Sequence, residues 1–81
     1  MDQIKIGKFI AEMRKEQNMT QKQLAETLNI SDKTVSKWEC GKGMPDNSIL
    51  LELCEALHIN VNELLSGEKV SSDNYHRKAE E

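Results

Sequence analysis

Between Thr20 and Trp38 the chain reads TQKQLAETLNISDKTVSKW, with apolar residues at Leu24, Ala25, Leu28, Ile30, Val35 and Trp38. An α-helix advances about 100° per residue, so positions three and four apart share a face. This spacing predicts two short helices folded against each other across a tight turn. Thr20 and Gln23 stand at capping-box spacing, with Met19 and Leu24 placed as a hydrophobic staple, so one helix starts after Thr20 and stops at Leu28. Asn29 tolerates the left-handed backbone and falls where the chain must reverse. Ser31 can cap the next helix, Ile30 and Val35 are placed as a second staple, and Gly41 lies just past its end. That helix spans residues 32–40, about nine residues or roughly 13 Å.

The same signals divide the rest of the chain. A first helix begins at Asp2 or Gln3, carries the stripe Ile6, Phe9, Ile10 and Met13, and ends at Asn18. A fourth opens at Asp46, after Pro45, and turns Leu50, Leu53, Cys54 and Leu57 inward. Asn60 and Glu63 form a further capping box before Leu64 and Leu65, and Gly67 closes the last helix. The predicted fold class is all-α, with five helices in one domain over residues 1–67. Residues 68–81, EKVSSDNYHRKAEE, have almost no apolar content and read as a polar tail or linker. Asp73 is placed to cap a helix through NYHRKAEE that breaks off at Glu81, so a free tail and a truncated helix both stay open.

On the third helix Asp32, Lys33, Ser36 and Lys37 cluster around one direction, with Ser31, Val35 and Trp38 roughly opposite. The stretch QKQLAETLNISDKTVSKWECGKGMPD resembles the phage-repressor and Cro-type helix-turn-helix family, the XRE family. The likeness covers roughly residues 4–65 and includes the W-E-x-G-x-x-x-P signature from Trp38 to Pro45. The resemblance implies a compact, five-helix, lambda-repressor-like DNA-binding domain. In it the third helix enters the major groove while the second lies across the backbone. The implied function is sequence-specific binding of double-stranded DNA by a transcriptional regulator, a repressor.

Charge at first argues against that partner. The net charge is −3, whereas affinity for nucleic acid comes largely from cations displacing counterions at phosphates. Its distribution removes the conflict. Residues 1–43 hold eight Lys or Arg against six Asp or Glu, while residues 44–81 hold three against eight. The acid lies away from the proposed reading helix, and one subunit should bind modestly and in a salt-sensitive way.

Eighty-one residues make one small domain that helix packing must hold together. Cys40 and Cys54, with thirteen residues between them, form neither a zinc signature nor a disulfide framework. No apolar run approaches eighteen residues and no signal peptide is evident, so the expected location is the cytoplasm. Relatives often join such a module to a longer C-terminal part, sometimes membrane-embedded, which would make the chain the cytoplasmic N-terminal module of a longer protein.

Lys33 and Lys37 are the foremost candidates for base reading, since lysine donates to guanine O6 and N7 and both match the family's reading positions. Ser36 is short enough for close approach to the groove, and Ser31 at the helix start joins this set. Asp32 either complements the helix dipole or accepts from cytosine N4. Phosphate contacts are expected at the start of the second helix, from Thr20, Gln21 and nearby backbone amides, and from Lys42 beyond the third. Cys40 stands where relatives often carry a polar or basic residue, so a contact there is lost or reduced to the main chain. The resemblance pairs Arg14 with Glu39 as a structural salt bridge. His58 and His76 are isolated, and nothing marks a catalytic site, a metal, a cofactor or a small-molecule substrate. The rival function is a protein-interaction adaptor on the same scaffold, although a face of Ser and Lys without Trp, Tyr or Arg anchors favours DNA. A homodimer on an inverted-repeat operator is expected, with Ile59, Val61 and Leu65 as interface candidates and half-sites about 34 Å apart.

Overall fold

Each helix begins where a short polar side chain satisfies amides that have no helical partner. The computed structural model describes residues 2–69 as α1 (Gln3–Glu16), α2 (Gln21–Leu28), α3 (Asp32–Glu39), α4 (Asn47–Leu57) and α5 (Val61–Ser66). Asp2, Thr20, Ser31, Asp46 and Asn60 are the N-caps, in that order. Both capping boxes form. Gln23 N–H donates to Thr20 at 3.0 Å and Thr20 N–H to Gln23 at 2.8 Å, while Asn60 and Glu63 exchange the same bonds at 2.7 and 2.9 Å.

The helix ends share one device, a left-handed residue after which the next N–H reaches back to close the last turn. Asn18, Asn29, Gly41, His58 and Gly67 hold these positions, with φ between 58° and 74°. The amides that follow them donate to the carbonyls of Arg14, Ala25, Lys37, Cys54 and Glu63. α1 therefore stops at Glu16, earlier than Asn18, because Asn18 itself makes the reversal. α3 likewise ends at Glu39, with Cys40 as its C-cap and its N–H on Ser36 O at 3.0 Å.

Helices of eight residues are marginal alone, so packing must hold them. The core is Ile6, Phe9, Ile10 and Met13 from α1, Leu24, Ala25 and Leu28 from α2, Val35 and Trp38 from α3, with Leu53, Cys54, Leu57 and Leu64. Each large side chain removed from water contributes about 1.5–3 kcal/mol. Leu50, expected to face inward, is only partly buried. α1 lies centrally against α3, α5 and α4, while α2 fits between α3 and α4.

Among the described residues no helix is long and apolar enough to cross a membrane, and no cluster of His, Cys, Asp and Glu is arranged to hold a metal ion. The possible helix through NYHRKAEE lies outside the described residues.

Candidate nucleic-acid interface

The amphipathic division of α3 decides what it can offer to a partner. Val35 is fully buried and Trp38 nearly so, whereas Asp32, Lys33 and Lys37 are exposed and Ser36 is half-buried between the two faces. Ser31 is also exposed, yet its hydroxyl accepts from Thr34 N–H at 3.3 Å and bonds the Thr34 hydroxyl at 3.1 Å. That oxygen is committed to starting the helix. Lys42 is exposed just beyond Gly41, its amide held on Lys37 O at 2.9 Å.

What holds this face rigid is a buried charged cluster behind it. Arg14 donates through Nε to Glu39 Oε2 at 2.7 Å and through Nη2 to Oε1 at 3.0 Å. Its remaining nitrogen, Nη1, donates to Met19 O at 2.7 Å. The Arg14 and Glu39 side chains are only 11% and 7% exposed, so the two-pronged geometry must offset a large desolvation cost. Its hydrogen bond to Glu39 raises the already high pKa of Arg14. Gln21 Nε2 adds a third donor to the same carboxylate, 2.9 Å from Oε1. One carboxylate at the end of α3 thus fastens α1 and the first residue of α2, while Arg14 itself holds the turn before α2.

This link changes how the start of α2 can meet an anion. The Gln21 side-chain amide turns toward Glu39, and Thr20 is occupied by its capping box. The first backbone amides, those of Gln21 and Lys22, have no hydrogen-bond partner among the described residues and stand at the positive end of the helix dipole.

A second positioning feature was missed in the sequence. A Cβ added to Gly7 would lie 2.1 Å from Trp38 O and 3.1 Å from Glu39 O, so the α1 backbone rests directly on the last-turn carbonyls of α3. The signal was there to read. Glycine inside a helix costs about 1 kcal/mol relative to alanine, which asks for a compensating close approach. His58 ends α4, where it takes the left-handed position. Histidine is one of the few side chains enriched there.

Comparison with known proteins agrees with this geometry. The family model described as Helix-turn-helix matches residues 10–64. The chain is 41% identical over 61 residues to the HTH-type transcriptional activator BcrR of Enterococcus faecalis, covering 75% of this chain and 30% of that protein. It is 38% identical over 61 residues to the cryptic phage CTXphi transcriptional repressor RstR of Vibrio cholerae, covering 75% of this chain and 54% of that one. The chain thus spans about a third to a half of the length of these relatives. The DNA-binding domain of the P22 C2 repressor superposes with a TM-score of 0.75 at 28% identity, over 86% of this chain and 92% of that one. With α2 and α3 set across a tight turn and the family match spanning most of the described residues, the chain belongs to the XRE-type helix-turn-helix family.

Proposed function

We propose that α3 lies in the major groove of double-stranded DNA and that the chain is the DNA-binding module of a transcriptional regulator. The observation that carries this reading is the exposed Asp32, Lys33 and Lys37 on a helix whose opposite face, Val35 and Trp38, is locked into the core. Base edges are read by Lys33, Lys37, Ser36 and Asp32, with Ser31 at the entrance. Phosphates are held by the backbone amides of Gln21 and Lys22 that follow the Thr20 cap at the start of α2, and by Lys42 on the other strand. The Arg14–Glu39 pair keeps α3 at a fixed angle to these anchors.

An activator and a repressor both resemble this chain, so the fold does not set the direction of regulation. Two copies on an inverted repeat are the expected functional unit, with half-sites about 34 Å apart. The half-buried Ile59, Val61 and Leu65 are candidates for their contact. The role proposed is binding; burial pushes the Cys54 thiol pKa up, with Glu63 adding to the effect, which keeps that thiol away from a reactive thiolate.

Titration of the full chain against duplex oligonucleotides, repeated across salt concentrations, tests the reading. Binding should be tightest at low salt, with log K falling linearly against the logarithm of salt concentration at a slope of about 0.9 per phosphate neutralised. A folded, dimeric chain that binds no duplex at low ionic strength would overturn it.

A further inference from the structure

Lys33 is the residue on α3 that folding does not explain. It stands in the first turn, where a cation opposes the helix dipole, and four residues before Lys37, a like-charge spacing that destabilises a helix. Asp32 and Lys37 by contrast suit the dipole at their respective ends. All three side chains are exposed, and none has an ion pair or side-chain hydrogen bond among the described residues.

From this arrangement we infer that the half-site contains a G·C pair read on both bases by Lys33 and Asp32, and a second guanine read by Lys37. The inference rests on α3 being the groove-facing helix and adds which bases it selects. In the major groove guanine presents two acceptors, O6 and N7, and cytosine the N4 amino donor beside them. A cation and a carboxylate on consecutive exposed residues at the start of α3 supply one donor and one acceptor group for that pair. Thymine in place of cytosine would put the O4 acceptor against the Asp32 carboxylate, so the same group that accepts from cytosine rejects an A·T pair. Lys37 lies four residues on, a rise of about 6 Å, which reaches a guanine one or two base pairs away. The two lysines repel each other less once each faces guanine acceptors. Ser31 is no competitor for these contacts, because its hydroxyl is spent on Thr34.

Selection from a random duplex pool, using the full chain and its Lys33→Ala, Lys37→Ala and Asp32→Asn variants, tests this directly. The unaltered chain should enrich G·C at two positions of each half-site. Lys33→Ala should lose the preference at one of them and Lys37→Ala at the other, each by about tenfold or more. Asp32→Asn should admit A·T at the Lys33 position, since Asn both donates and accepts, and should bind random DNA more tightly for lack of the negative charge. All three residues are exposed, and far-ultraviolet circular dichroism of each variant should match the unaltered chain. Unchanged preferences in every variant, or selection of A·T at both positions, would overturn the base assignment while leaving groove binding standing. If no variant and no unaltered chain retained any duplex at low ionic strength, both the assignment and the DNA reading would fall.

Discussion

Two of the ion pairs that tie α1 to its neighbours are of almost equal length yet stand in opposite surroundings. Arg14 meets Glu39 of α3 at 2.7 Å with both side chains nearly buried, and Lys5 meets Glu68 after α5 at 2.8 Å with 48% and 68% of those side chains exposed. Distance is therefore a poor guide to what each contributes. At the first junction water cannot replace a lost partner, and Arg14 also satisfies Met19 O while Glu39 also accepts from Gln21. At the second, water and salt stand ready to replace either group. The reading helix is held by the first kind of junction, and the segment leaving the last helix by the second.

The widest separation between the two should come from deleting one partner of each. Arg14→Ala leaves Glu39 buried without its counter-ion and should cost about 3–5 kcal/mol, which urea denaturation would measure. A loss below about 1 kcal/mol would show that water enters the junction freely. Gly7→Ala should follow at about 2–3 kcal/mol, since the new methyl meets backbone carbonyls that cannot move aside without lifting α3 from α1. Thermal melting reads this, and an unshifted midpoint would deny the close approach. Gln21→Ala removes a single bond to the Glu39 carboxylate and should cost about 1.5 kcal/mol. Its loss of DNA affinity should exceed what that destabilisation explains if the residue also meets phosphate.

Lys5→Ala should leave the melting midpoint within experimental scatter, and no coupling between Lys5 and Glu68 should survive in 1 M salt by double-mutant cycle. The pairs should differ in pH response as well. The hydrogen bond from Lys5 lowers the Glu68 pKa, so that contribution is present above the ordinary carboxylate value and fades as acid titrates Glu68 in the folded state. The raised pKa of Arg14 gives the opposite sign, a contribution that titration of Arg14 itself removes only far into alkali. Any coupling between Lys5 and Glu68 that a double-mutant cycle finds at low salt should therefore vanish on acidification.

The five helices and their starts were legible because a cap and the amide it satisfies lie within three residues of each other. Thr20 with Gln23 and Asn60 with Glu63 could be read without knowing the rest of the fold. Boundaries slipped where the stop signal was less specific, at Asn18 and Cys40. The polar face of α3 followed from periodicity alone, but which of its groups were free did not. Ser31 looked as available as Ser36 until its bonds to Thr34 came into view. The pairing of Arg14 with Glu39 was suggested by resemblance and has no local signature, since 25 residues separate the partners. The Gln21 bond to the same carboxylate was not foreseen at all, although both residues had been singled out.

The sequence alone determined where helices begin, which face of each is apolar and which charges α3 carries, because these depend on contacts within a turn or two. Only the tertiary structure decided that Gly7 is a contact surface, that one carboxylate joins three helices and that one ion pair is dry while another is wet. Those outcomes depend on which backbone lies against which, and on how much water is left between them. Side-chain identity along the chain does not encode that until the helices have packed.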